Sequence, residues 1–298
     1  ATLCKESAFA FAAFLPLTDF ITGSGRVRDR FRFRATLLRY SPFVAALVLV
    51  VLLRHWVLGG LAALYINPVS NPLVNADGWT RFLTATHVFG RYLALLAFPR
   101  NLSADYSYNQ IPLATSIFAW KVLVPLALLV LLLAGTVVAA RRFPILFFSG
   151  FVLFAGFALT SNWIRPIGTI MGERLMYFPA LGFNCAVVFV LCKGLESARF
   201  RPAAWILSTL LALAYAIGTI DRNVDWRNHY NLFRRAVATS PNSSLVQSNY
   251  AAVLLHEKND PRGAIVHARR AVEISPKEPP AYFTLGSAYR RHARALPT

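Results

Sequence analysis

The chain has 298 residues, of which 56% are hydrophobic and only 15% are charged, whereas soluble domains carry about 25% charged residues. Its formal net charge is +18 at pH 7, but the basic residues fall mainly in short blocks between apolar runs. This pattern excludes a continuous nucleic-acid-binding stripe and is typical of the loops of membrane proteins. We therefore expect an all-α, multi-pass integral membrane protein whose surroundings are the lipid bilayer, with no nucleic-acid partner.

Apolar runs predict the membrane spans in chain order. A bilayer core about 30 Å thick needs about 20 apolar residues per helix, so six spans are expected, over residues 1–20, 42–64, 119–140, 144–162, 175–192 and 203–220. The segment 80–98 is also apolar but contains Arg81, His87 and Arg91. Those residues favour an amphipathic helix lying in the membrane interface. The chain opens inside an apolar run, and we interpret it as a fragment.

Basic loops predict the orientation. Three blocks, at 26–39, 141–142 and 193–201, fall together on the cytoplasmic side if 80–98 does not span. Residues 65–118, 163–174 and the C-terminal part then lie on the outer face. That face is periplasmic in a bacterium or lumenal in a eukaryote, and the bacterial inner membrane is the favoured location.

Polar groups beside these apolar helices are candidates for function, because they are costly in a membrane unless they are paired or solvated. The predicted outer face collects cations, carboxylates and aromatic rings, at Lys5, Glu6, Asp105, Tyr106, Arg165, Glu173, Arg174 and Tyr177. Such a set suits a lipid-borne phosphate that carries a sugar. Arginine holds phosphate through two hydrogen bonds, and a carboxylate can orient an acceptor hydroxyl.

Each of these groups also has a structural interpretation. Lys5 and Glu6 can neutralise each other, and Asp105 can be a turn or N-cap residue. The Glu173 carboxylate can interact favourably with the positive N-terminal end of a helix dipole, and the Arg174 side chain can extend to the lipid headgroups. The aromatic rings can belong to an interface belt. The three cysteines lack zinc-site spacing, so no metal site is predicted.

Residues 221–298 contain a repeat. The similar stretches that end at Pro241 and Pro276 are separated by one residue more than the 34-residue tetratricopeptide period. The pattern predicts small residues where paired helices touch, at Ala264, Ala271 and Gly286, and packing between helices at Tyr282, Leu285 and Tyr289. We expect a truncated α-solenoid that presents a surface to a protein or peptide.

Four motifs occur in order along the chain: Lys5-Glu6 in an early helix, Leu102-Ser-Ala-Asp-Tyr-Ser107 followed by Ile111-Pro112, Glu173-Arg-Leu-Met-Tyr-Phe-Pro179 with Gly182-Phe183, and Asp225-Trp226 before the repeats. Together they resemble the transmembrane and tetratricopeptide-repeat O-mannosyltransferase family, in a bacterial-looking form. The resemblance implies a GT-C like polytopic helical membrane domain over residues 1–220 and a tetratricopeptide-repeat α-solenoid over 221–298.

The resemblance also implies an activity, namely transfer of a hexose such as mannose from a polyprenyl- or dolichyl-phosphate donor to an acceptor on the outer face. The repeats would then bind a protein or peptide acceptor. No cofactor beyond this lipid-linked sugar is predicted, and dependence on a divalent metal is left open. The alternative is a non-enzymatic, membrane-anchored scaffold whose repeats bind other proteins.

The site residues follow from the same resemblance. The principal catalytic acid is expected in a first outer loop upstream of Ala1, so no residue of this chain inherits that role. Asp105 and Glu173 are expected to support it, with Glu173 orienting Arg174. The expected donor-phosphate ligands are Arg174, Arg165 and Lys5, and the expected lining residues are Glu6, Tyr106 and Tyr177.

Overall fold

A computed structural model describes residues 33–58 and 66–295 of the chain. Lys5, Glu6 and the predicted span 1–20 lie outside these ranges. The described residues form two compact units, one built from 33–58, 130–160 and 177–190, the other from 66–129, 161–176 and 191–295. The predicted division at residue 220 has different bounds and stays a prediction.

The described ranges are all-α, as predicted. Their α-helices are α1 (Phe33–Leu58), α2 (Gly78–Ala97), α3 (Trp120–Arg142), α4 (Pro144–Ala158), α5 (Tyr177–Glu196), α6 (Arg201–Asp225), α7 (His229–Thr239), α8 (Ser244–His256), α9 (Pro261–Ile274) and α10 (Pro279–Arg294). Two short 3-10 helices cover Pro72–Asn75 and Glu173–Met176.

Four helical stretches among the described residues are long and apolar enough to cross a bilayer, at Tyr40–Val57, Trp120–Arg142, Glu173–Glu196 and Arg201–Asp225. They correspond to four of the predicted spans and fit a multi-pass membrane protein. The span predicted at 144–162 contains a shorter helix, because α4 ends after 15 residues. At about 1.5 Å per residue α4 is roughly 22 Å long, less than the bilayer core.

Helix α2 coincides with the segment predicted to lie in the membrane interface, and that position stays a prediction. It is not among the four long apolar stretches, and seven of its residues are buried, including Leu83, Phe89 and Tyr92. Asp77 caps its N-terminus by accepting from the backbone N–H groups of Trp79 and Thr80. Burial, together with the nearby cations Arg91 and Lys121, lowers the pKa of His87 to about 4. The imidazole is therefore neutral at physiological pH, which reduces the cost of its partly buried position.

In the first unit, α4 and α5 pack closely at Gly182. A Cβ at this position would lie 2.3 Å from the Ser149 carbonyl oxygen and 2.6 Å from the Leu153 backbone nitrogen. Both neighbours are backbone atoms that cannot move aside like the end of a flexible side chain. Gly182, part of the motif that ends in Gly182-Phe183, is thus needed for helix packing.

In the second unit, α7 and α8 form one helix pair and α9 and α10 form the next. Equivalent positions in the two pairs are 35 residues apart, as Ala236 and Ala271 are. Ala236 and Ala271 are both fully buried. The backbone N–H groups of Ser240 and Ser275 donate to the carbonyls of these two alanines and end α7 and α9 in the same way. Equivalent residues therefore have equivalent environments in the two pairs.

The predictions for individual repeat residues are only partly correct. Ala264 is fully buried, in a core with Tyr250, Leu254, Leu255 and Ala288. Gly286 was expected at a helix contact; among the described residues a Cβ there would meet no heavy atom within 4 Å, and the expectation stays a prediction. Tyr282 and Tyr289 are exposed, and among the described residues they do not fill a gap between helix pairs.

Candidate functional site

Three segments predicted on the outer face, 66–77, 99–118 and 161–176, lie together in the second unit. The backbone N–H of Tyr108 donates to the Val69 carbonyl at 2.8 Å, and that of Ile170 donates to the Ser70 carbonyl at 3.2 Å. Segments far apart in sequence therefore form one surface.

Two buried amides join the first and third of these segments. Asn71 Nδ2 donates to Asn162 Oδ1 at 2.9 Å and to the Ile167 carbonyl at 2.7 Å. Asn162 Oδ1 also accepts from the Ile167 N–H, and its Nδ2 lies 3.2 Å from the carbonyls of Thr169 and Ile170. Asn162 has a left-handed φ of 61°, which asparagine tolerates better than most residues. Sequence analysis did not select this pair.

Glu173 is the centre of the candidate site. Its Oε1 accepts from the Ser103 backbone N–H at 2.6 Å and from the Tyr106 hydroxyl at 2.7 Å. Its Oε2 lies 3.8 Å from Arg222 Nη2. The Leu102–Ser107 motif and the Glu173 motif therefore meet, as their common assignment to one site implies, and the Tyr106 ring is buried rather than part of an interface belt.

Helix α2 contacts both sides of the hydrogen bond between Glu173 and Tyr106. The Tyr92 hydroxyl donates to the Gly172 carbonyl and accepts from the Gly172 N–H, at 3.1 and 2.8 Å. The guanidinium of Arg91 stacks over the Tyr106 ring at 5.5 Å from its centroid. Burial, and secondarily the Glu173 carboxylate, raises the pKa of Tyr106. Its hydroxyl therefore keeps its proton and remains a donor to Glu173.

Arg222 is a site residue that sequence analysis missed. Its Nη1 contacts Asp225 Oδ2 at 3.0 Å, and its guanidinium lies 5.7 Å from the centroid of the Trp226 ring. The Asp225-Trp226 motif was the available signal, although it did not point to the arginine one turn earlier. The expectation that Glu173 orients Arg174 is wrong, because the carboxylate faces Tyr106, Ser103 and Arg222 instead.

The other predicted site residues are more exposed. Arg174 and Arg165 lie on the surface, and Tyr177 is 88% exposed. Their assignment to phosphate binding and to lining the site stays a prediction. Within residues 33–58 and 66–295, no group of three or more His, Cys, Asp or Glu side chains could hold a metal ion.

Asp105 joins the loop to the C-terminal helices. Its Oδ1 accepts from the Ser107 backbone N–H at 2.7 Å, which makes a turn of the Asx type, and from the Ser243 hydroxyl at 3.3 Å. Ser243 caps α8 by accepting from the Val246 N–H, and its hydroxyl lies 2.7 Å from that of Ser107. The interpretation of Asp105 as a turn residue thus agrees with the structure.

Comparison with known proteins adds a family match. The family model for the TMTC protein O-mannosyl-transferases (DUF1736) matches residues 63–133. Mouse protein O-mannosyl-transferase TMTC1 is 29% identical across 98% of this chain and 32% of its own length. Human TMTC3 is 26% identical across 97% of this chain and 34% of its own length. Drosophila Tmtc3 is 26% identical across 88% of this chain and 29% of its own length.

No solved structure matches the chain. The chain spans about a third of the length of the curated relatives named here, which are animal proteins, so its bacterial character stays a prediction. The similarity nevertheless extends over nearly every residue of the chain. The chain is therefore a distant homologue of the TMTC protein O-mannosyltransferase family over nearly its full length.

Proposed function

We propose that this chain is part of a GT-C type membrane glycosyltransferase that moves a sugar, mannose in the first instance, from a polyprenyl-phosphate donor to a protein acceptor. The observation that carries the proposal is the alignment of 98% of the chain with a protein named protein O-mannosyl-transferase. In the reaction the acceptor hydroxyl oxygen bonds to the anomeric carbon and gives its proton to a base. The bond from that carbon to the phosphate oxygen breaks, and the lipid phosphate leaves.

Glu173 fits a supporting role in this reaction. Both of its bonds from segment 103–106 end on one oxygen, so the carboxylate fixes the position of that loop while its second oxygen faces Arg222. In the proposal Arg174, Arg165 and Lys5 bind the donor phosphate, and no residue of this chain takes the role of the principal acid. Asp105 acts through Ser243, by holding the C-terminal helices against the site.

We further propose that α7 to α10 are tetratricopeptide-type repeats and that residues 221–298 form a domain that presents the acceptor to the membrane domain 1–220. The equivalent burial of Ala236 and Ala271 supports this assignment. The alternative function is a membrane-anchored scaffold that binds proteins without modifying them. It is favoured by the exposed rings of Tyr282 and Phe283 on α10, because exposed aromatic residues are common in protein interfaces.

A transfer and binding assay tests the proposal. Full-length protein in detergent should transfer mannose from a polyprenyl-phosphate mannose to peptides. Arg174→Ala should weaken donor binding by about ten-fold or more, and Arg174→Lys should weaken it substantially, because lysine cannot grip two phosphate oxygens at once. The control is Arg199→Ala, which removes an exposed arginine on the predicted cytoplasmic side. Donor binding without dependence on residue 174 would remove Arg174 from the site, and absence of transfer to any peptide would favour the scaffold.

The orientation can be tested by cysteine labelling in a background in which Cys4, Cys185 and Cys192 are replaced. Lys258 is exposed and belongs to the part of the chain predicted on the outer face, so it is a suitable position for the cysteine. A cysteine at Lys258 should react with an impermeant thiol reagent in intact cells, and one at Arg142 should react only after permeabilisation. The opposite preference would reverse the proposed orientation.

A further inference from the structure

A groove of about 530 Å³ runs along α6 within the second unit, opposite residues 97–102. Its volume lies within the range of roughly 300–1,000 Å³ that is typical of sites for one small molecule. The two walls are joined where the Tyr215 hydroxyl donates to the Leu96 carbonyl at 2.8 Å. This hydrogen bond crosses between segments more than a hundred residues apart and gives the groove a fixed width at that point.

One part of the groove is apolar. It is lined by Ala97 and Phe98 on one side and by Leu211, Ala214, Ile217 and Gly218 of α6 on the other. This part runs along α6, one of the stretches long and apolar enough to cross a bilayer. Gly218 leaves open space, since a Cβ there would meet no heavy atom within 4 Å.

The other part of the groove is charged and lies at the C-terminal end of α6, with Arg222, Asp221 and Asp225 in its lining. Arg222 is engaged by Asp225 at 3.0 Å and also lies beside Glu173 at 3.8 Å. This part of the groove therefore borders the candidate site. A ligand headgroup bound here would lie close to the Glu173 centre.

Two further guanidiniums in the lining remain available to an anion. Arg235 Nη2 lies 3.9 Å from Asp221 Oδ2, and both side chains are at least half exposed. Their ion pair is therefore weak. Arg100 lies over the Phe98 ring at 4.6 Å and has no acidic partner among residues 33–58 and 66–295. Asp221 offers carboxylate oxygens, which accept hydrogen bonds from hydroxyl groups but repel a bare phosphate.

We propose that this groove is the binding site for the lipid-linked sugar itself. In this groove Arg100 and Arg235 bind the phosphate in place of Arg174 and Arg165, which are not in its lining, so Arg174→Ala would keep the wild-type Kd. Asp221 accepts from sugar hydroxyls, and the first part of a single isoprenoid chain lies along Ala214 and Gly218. The side-by-side arrangement of a phosphate-binding cation and a hydroxyl-binding carboxylate fits a sugar phosphate better than a phospholipid. The inference rests on the proposed transferase function, because that function supplies the ligand.

The test uses full-length protein in nanodiscs and a radiolabelled polyprenyl-phosphate mannose as the probe. Gly218→Phe places a ring in the apolar part, and Arg100→Gln removes one guanidinium, so each should raise the Kd about ten-fold or more. The matched control is Gly135→Phe, at another helical glycine with no heavy atom within 4 Å of an added Cβ and outside the groove lining. It should bind as wild type does. Size-exclusion profiles and thermal unfolding identify any variant that fails to fold.

The outcomes separate the groove from the function. Equal Kd values for folded wild type, Gly218→Phe and Arg100→Gln would overturn the assignment of the groove as the donor site. That result would not contradict the proposal of mannose transfer. Loss of probe binding in both variants, together with no sugar transfer by wild type, would support the groove as the binding site and reject the proposed transferase function. Displacement of the probe by phosphatidylglycerol as readily as by unlabelled donor would overturn the assignment to a lipid-linked sugar. Failure of wild type to bind the probe would also overturn it.

Discussion

Glu173→Ala is expected to destabilise the second unit by about 2–5 kcal/mol. The substitution leaves the buried Tyr106 hydroxyl and the Ser103 N–H without their shared acceptor. It also leaves Arg222, whose side chain is only 13% exposed, with one carboxylate neighbour fewer. The loss should appear as a lower melting temperature and as faster amide hydrogen exchange in residues 99–110.

Glu173→Gln separates hydrogen bonding from charge. Because both donors contact Oε1, an amide oxygen in the same place can accept both bonds, while an uncharged NH2 group replaces the oxygen beside Arg222. We expect Gln to destabilise the protein much less than Ala, by about 1 kcal/mol. If the carboxylate charge matters for transfer, Gln should nevertheless lower the transfer rate as strongly as Ala does.

Glu196→Ala is the control for both variants. Glu196 pairs with Lys193 on the surface, with both side chains more than half exposed, and such pairs contribute about 0–1 kcal/mol. An unfolding temperature for Glu173→Ala equal to that of Glu196→Ala would show that the Glu173 contacts do not hold segment 103–106 in place.

Asn162→Ala is expected to have a comparable effect, about 2–5 kcal/mol, for two reasons that add. The Ile167 N–H loses its acceptor, at about 1–3 kcal/mol, while Asn71 Nδ2 keeps its hydrogen bond to the Ile167 carbonyl. Alanine must also adopt the left-handed φ of 61°, at a cost of roughly 1–2 kcal/mol. Chemical or thermal unfolding in detergent measures the sum.

Two further variants separate these contributions. Asn162→Gly removes the amide without the backbone strain, so it should recover roughly 1 kcal/mol relative to Ala. Asn259→Ala imposes similar strain at an exposed position with φ of 50°, where no buried hydrogen bond is lost, and should cost only about 1 kcal/mol. An Asn162→Ala protein no less stable than Asn259→Ala would rule out a stabilising role for the Asn71–Asn162 pair.

The sequence by itself determined the elements whose energetics are local or periodic. Long apolar runs predicted four of the helices that can cross a bilayer, because the bilayer demands about 20 apolar residues in succession. The charges at Arg81 and Arg91 distinguished α2 from those spans. The recurring prolines at 241 and 276 predicted a helical repeat, since a repeat is visible as a period in the sequence, and α7 and α9 end just before these prolines.

Only the tertiary structure decided which polar groups meet. Glu173 and its neighbour Arg174 are adjacent in sequence, yet the carboxylate faces Tyr106 and Arg222, each about fifty or more positions away. Asp105 is a turn residue locally, but its contact with Ser243 also depends on where α8 lies. Partners at such separations are chosen by the packing of whole segments and by the need to satisfy every buried polar group, and neither requirement leaves a period or a spacing in the sequence.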